Sequence, residues 1–384
     1  MKSLHRTYQS RDFIEDFEGV CEIEELSTIY KLLNYEKYFQ EKEMYKKTVS
    51  GMMMTLLFIG MFSLAIGVKP AKGTWTGGTI YIRADGSIDP PDAPIITYDY
   101  VTYILTDNIT SSADGIVVKR DNIVIDGEGY TIQGTGNYDG IDLSGRSNVT
   151  IKNMKITKFY HGIWLYWSSN NNISENKIEN NVFGIKLPDS SNNIISGNNI
   201  TNNGCGIMLV CSSSNNISGN NITNNGHGIT LSCSSNNNIN RNNIITNNYE
   251  GIWLASSLNN IIYHNNFIDN TDQVFSYAST NIWDDGYPSG GNYWSDYNGT
   301  DLFSGPYQNI TGSDGIGDTP YVIDENNRDR YPLMKPWTPS INATVDIIPN
   351  TLNMRGKLQY VTAYIELPER YNVSDINVSS ILLN

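Results

Sequence analysis

Apolar and polar positions alternate along this chain in short bursts, and the bursts return every 22 residues. Gly140-Ile141-Asp142-Leu143 comes back as Gly162-Ile163-Trp164-Leu165, Gly184-Ile185-Lys186-Leu187, Gly206-Ile207-Met208-Leu209 and Gly228-Ile229-Thr230-Leu231. A further copy, Gly251-Ile252-Trp253-Leu254, follows after 23 residues. Between these copies lie fixed columns: Ile173, Ile195, Ile217, Ile239 and Ile262; Asn176, Asn198, Asn220, Asn242 and Asn265; Ser168, Ser190, Ser212, Ser234 and Ser257. Each repeat holds stretches of three to five residues, apolar at alternate places and separated by Asn, Ser and Gly. Alternation predicts strands, and Asn and Gly predict turns that accept a left-handed backbone. No stretch has helical periodicity.

A fixed period of this length marks a solenoid, in which each unit covers the open face of the last. Strands this short pair with their own copies one rung on, about 4.8 Å away. Identical residues then stack: Ile fills a narrow core, and Asn bonds to Asn along the axis. The prediction is an all-β fold, a right-handed parallel β-helix with rungs of 22 residues and a small β segment at the C-terminus. The regular rungs give a rod on the order of 30 Å long.

Outside the repeats the pattern loosens. Residues 74–280 read as the β-helix, with irregular first rungs such as Thr79-Ile80-Tyr81-Ile82 and Ile123-Val124-Ile125-Asp126. Residues 281–337 are rich in Asp, Gly and Tyr and predict a cap. Residues 338–384 alternate like part of a β module, as in Thr344 to Ile348 and Tyr360 to Leu367. Residues 44–73 contain a charge-free run, Thr48 to Val68, behind Lys46 and Lys47 and ahead of Pro70 and Ala71. That layout is expected of a signal peptide, with a membrane anchor through residues 48–68 as the other reading. Residues 1–43 then stand as an over-extended start or a cytoplasmic tail.

Charge sharpens this picture. The chain carries 26 basic and 40 acidic residues, a net charge of −14. Residues 1–73 carry ten of each, so the exported part holds the whole imbalance. Such a surface argues against nucleic acid and anionic membranes as partners. It suits an exported protein at the cell surface or in the periplasm, with a polysaccharide or a surface protein as its partner.

Three segments after the repeats are specific: Trp283-Asp284-Asp285-Gly286, Gly291-Asn292-Tyr293-Trp294-Ser295-Asp296-Tyr297 and Asp314-Gly315-Ile316-Gly317-Asp318-Thr319-Pro320-Tyr321. With the Asn-rich repeats before them, they resemble NosD-like proteins, the family named for a periplasmic copper-processing protein. The same repeats are also described as a carbohydrate-binding and sugar-hydrolysis domain. The likeness spans roughly residues 75–337. It implies a β-helix, and for function it implies copper handling beside a membrane transporter.

The candidate chemistry divides into three sets. Soft copper ligands are Cys, Met and His, and Cys205, Met208, Cys211, His227 and Cys233 fall on two neighbouring rungs. Stacking would bring Cys205 near His227 and Cys211 near Cys233, the latter within disulfide reach. Hard oxygen ligands suit calcium, and Asp296, Asp301, Asp314 and Asp318 sit in a Gly- and Asn-rich stretch that also holds Asp284, Asp285 and Asp324. Calcium is the expected cofactor of that stretch, if it has one. The x position of Gly-Ile-x-Leu should point outward, which exposes Asp142, Trp164, Lys186 and Trp253 to sugar rings. A polysaccharide lyase, hydrolase or epimerase needs clustered carboxylates, and the charges of the repeats are scattered. Asp139 with His161, and His227 with Glu250, are the close pairs that the period offers. The sequence therefore favours binding over catalysis.

Overall fold

The computed structural model describes residues 75–339 and two further strands, 344–348 and 362–366. The readings of residues 1–43 and of the charge-free run 48–68 lie outside the described residues. Within them every regular element is a strand.

The 22-residue period becomes about eight turns of a parallel β-helix. Its walls are three sheets of ten strands each. Register follows the repeat residue for residue: Ile173 pairs with Ile195, Ile195 with Ile217, Ile217 with Ile239 and Ile239 with Ile262. All five are fully buried. At the N-terminal end, Ile88–Asp89 and Ile95–Thr97 turn back antiparallel against Ile80–Ile82 and Thr102–Leu105. They close the edges of two of the three sheets. The strands Thr344–Ile348 and Thr362–Glu366 form a separate antiparallel pair.

Corners repeat as strictly as strands. A residue with positive φ comes first, and a buried ladder residue follows it. On one rung these are Trp167 (52°) before Ser168, Asn170 (58°) before Asn171, Glu175 (58°) before Asn176 and Asn180 (57°) before Asn181. The ladder side chains then run along the axis. Asn176 donates its backbone N–H and its side-chain amide to Oδ1 of Asn198, at 3.0 and 3.1 Å. Asn198 does the same to Asn220, and Asn220 to Asn242. Parallel ladders begin at Asn171 and Asn181, and a serine ladder at Ser168. Buried corner groups are thereby satisfied without water. The glycine of Gly-Ile-x-Leu is fixed by crowding: a Cβ on Gly184 would meet the Gly206 carbonyl oxygen at 2.5 Å.

The segment after the last full rung folds over the C-terminal end. It stays in the ladders before leaving them: Asn281 and Asn292 take the next places, accepting from Asn260 and Asn265. Asn327 then accepts from Asn281, and Asp329 from Asn292, as substitutes for a rung that does not exist. Phe267, Trp294 and Tyr321 stack in series at 4.3 and 4.2 Å.

Candidate functional site

Because Ile and Leu of Gly-Ile-x-Leu point inward, the residue between them faces out. Ile163 and Leu165 are fully buried, whereas Trp164 is half-buried. Pairing builds one column of Asp142, Trp164, Lys186, Met208, Thr230, Trp253 and Phe275, outward-facing at every place except Thr230, which is buried. The four residues expected at a sugar surface, Asp142, Trp164, Lys186 and Trp253, therefore share one face of one sheet. A second column beside it runs Asp139, His161, Phe183, Cys205 and His227.

The two tryptophans sit in different surroundings. Trp164 belongs to a row of rings across one rung. His161 stacks on it at 4.4 Å, Tyr166 lies 6.1 Å away nearly parallel, and Trp167 follows at 5.8 Å from Tyr166. Trp253 stacks along the axis on Phe275 at 6.0 Å. Between these aromatic groups the rungs carry smaller side chains: Gly204, Met208 and Val210, then Gly226, Thr230 and Ser232.

Polar chemistry on this face includes two imidazole–carboxylate pairs, Asp142, Asp272 and one lysine. His161 Nδ1 lies 2.7 Å from Asp139, and His227 Nδ1 lies 2.6 Å from Glu250. The ammonium of Lys186 sits 4.4 Å from the Phe183 ring and 5.4 Å from the Trp164 ring. Burial lowers its pKa. Burial raises that of Asp114, and the charges of Asp139 and Asp142 add to the rise.

The five soft ligands do not converge. Cys205 is buried, its thiol directed at Thr230 Oγ1 at 3.4 Å, and burial pushes that thiol up to about 11. A thiol held protonated is a poor metal ligand. His227, one rung on, is engaged with Glu250. Met208 lies in the outward column. Cys211 and Cys233 stand together at a corner as exposed free thiols in contact with each other, both at φ 49°. Among the described residues no group of three His, Cys, Asp or Glu side chains is placed to hold a metal ion. These donors do not fit a copper centre.

The four aspartates expected to hold calcium are used as turn acceptors. Asp301 accepts from Ser313 and from the backbone N–H groups of Asp314 and Gly315. Asp318 accepts from Leu302 and Phe303, and these bonds hold its pKa down against desolvation. Asp314 receives Ile316 N–H, and Asp296 receives the Tyr321 hydroxyl. A recess of about 380 Å³ at the C-terminal end includes Asp296 with Asp269, Asp272 and Tyr321. A larger one, about 520 Å³, lies on another wall between Glu128, Lys155, Glu175 and Lys177. Neither contains the aromatic column.

The family model described as periplasmic copper-binding protein (NosD) matches residues 98–299, more than half of the chain. The chain belongs to the NosD family. Its match covers the repeats that build the aromatic flank. A search of curated proteins returns no match. Among solved structures, a double mutant of the periplasmic alginate epimerase AlgG is similar at 19% identity, with a TM-score of 0.36, covering 52% of this chain and 55% of that one. The Dettilon tailspike protein is similar at 16% identity, with a TM-score of 0.42, covering 58% and 57%. The enzymatically active domain of tailspike protein 2 from bacteriophage CBA120 matches at 13% identity, with a TM-score of 0.41, covering 46% and 33%. The chain thus spans about half the length of the first of these relatives. At such identities neither substrate nor site residues transfer.

The sequence located the outward column and both imidazole–carboxylate pairs. It missed Tyr166, Trp167 and Phe183, which complete the aromatic cluster. Their signal was present, since Phe183 opens the strand that carries Lys186, and Tyr166 and Trp167 follow directly on the strand that carries Trp164.

Proposed function

We propose that this NosD-family chain is an exported, non-catalytic binding protein, and that its aromatic flank holds an extended polysaccharide. The observation that carries the reading is the outward column with Trp164 and Trp253 four rungs apart. That is about 19 Å at the strand spacing, a span for several sugar units and too long for one. Aromatic rings offer sugars a large apolar contact at little entropy cost. The carboxylates nearest the column are engaged with His161, His227 and Ser144, which favours binding over bond cleavage. Residues 48–68 would carry the chain out of the cytoplasm, either cleaved or kept as an anchor.

Affinity electrophoresis or calorimetry against surface polysaccharides tests this. Trp164→Ala and Trp253→Ala should each weaken binding about tenfold, the loss expected for one aromatic contact of about 1.4 kcal/mol. Release of shorter products by the pure protein would replace binding with catalysis.

A further inference from the structure

Lys186 stands apart from every other charge on the flank. In the seven strands of this wall from Asp139–Asp142 to Asp272–Tyr277, it is the one Lys or Arg. Asp139, Asp142, Glu250 and Asp272 occupy the same strands. A lone cation on an acidic face would be expected to take an acid as its partner. Lys186 forms no ion pair among the described residues. The acids two rungs away are occupied, Asp139 by His161 and Asp142 by the backbone N–H of Ser144, and Asp139 acts on Lys186 only through its field.

Two rings hold the ammonium where it is, Phe183 at 4.4 Å and Trp164 at 5.4 Å. Their faces attract a cation but replace lost water only in part. The burden on the charge is visible in its lowered pKa. A second polar group in the cluster is also unfulfilled. His161 is nine-tenths buried, packed between Trp164 at 4.4 Å and Phe183 at 5.4 Å, and its Nε2 has no hydrogen-bond partner. Cation, imidazole and rings meet within two rungs.

We propose that this cluster is a subsite for an acidic sugar, a uronate unit whose carboxylate pairs with Lys186 while its ring lies against the Trp164–Tyr166 row. The assignment rests on the flank binding polysaccharide and adds the class of sugar. A carboxylate on Lys186 would supply the counter-charge that the protein withholds, at a half-buried site where such a pair is screened less than on open surface. Trp253, four rungs away, would contact a later unit of the same chain.

The test compares alginate and polygalacturonate with their carboxyl-reduced, neutral counterparts, using the full chain at low and at physiological salt. Wild type should bind at least one acidic polymer tenfold or more above its reduced form, and added salt should shrink the gap. Lys186→Gln should bring the acidic polymer down to the affinity of its counterpart, and Lys186→Arg should restore most of the difference. An unchanged melting temperature in both variants shows that the fold is intact. A preference for the acidic polymer that survives Lys186→Gln overturns the subsite. So does equal binding of acidic and reduced polymers by wild type; if that binding still falls in Trp253→Ala, the polysaccharide reading stands alone. Absence of binding to all four polymers overturns the uronate assignment.

Discussion

Asp329 is fully buried and accepts four N–H groups, from the Asn292 backbone at 2.6 Å and side-chain amide at 3.4 Å, Trp294 at 2.9 Å and Tyr331 at 3.0 Å. Burial opposes these bonds and prevails, so the carboxyl is pushed up to about 7. An unfolded Asp titrates near 3.9, that is, about three units lower. Between those values the folded chain keeps a proton that the unfolded chain has released. Stability should therefore fall as pH rises from about 4 to about 7, by at most about 1.4 kcal/mol per unit. Asn has the shape of a protonated Asp. Asp329→Asn should erase this slope, match wild type at pH 5 and exceed it at pH 8. Melting curves across that range check the claim. A variant destabilised at every pH would mean that the four N–H bonds outweigh burial.

Strands and corners were legible before any coordinates, because in a solenoid each residue's partner is its own copy one period on. The Ile173 column, the Asn176 and Ser168 ladders and the outward Trp164 column all follow from counting. The same logic makes the core fragile at a point. Ile217 lies between Ile195 and Ile239 with no exposure, so Ile217→Asp would bury a charge with nothing to pair it. We expect a loss of several kcal/mol, spreading to neighbouring rungs because each one templates the next. Denaturant unfolding measures it, and an unchanged midpoint would refute it. The cap was not legible in this way. Asn327 and Asp329 complete ladders from 46 and 37 residues downstream of their partners Asn281 and Asn292, where no period points to them. The clamp on Lys186 was hidden for another reason. A repeat shows which column a side chain belongs to, but not which ring it leans against.

For the whole molecule, charge and the shared direction of its ladders matter most. Against a net charge of −14, Lys186 is a local exception on its wall. In the Asn176 ladder each Asn gives its backbone N–H to the next Asn toward the C-terminal end, while its amide also donates back to a carbonyl of the preceding rung. At the C-terminal end the backbone donors of two ladders are met by Asn327 and Asp329, while at the N-terminal end the first ladder acceptors already receive Val149, Met154 and Phe159. Without Asn327 and Asp329 the C-terminal end would present an open row of backbone donors, a template for pairing with another chain. A chain ending at Ile282 should associate through that exposed end, which sedimentation or light scattering detects. If it stayed a dispersed monomer, the cap would have no such task. Association would make the segment 283–337 a guard on that end of the rod, with Asn327 and Asp329 its points of attachment to the ladders.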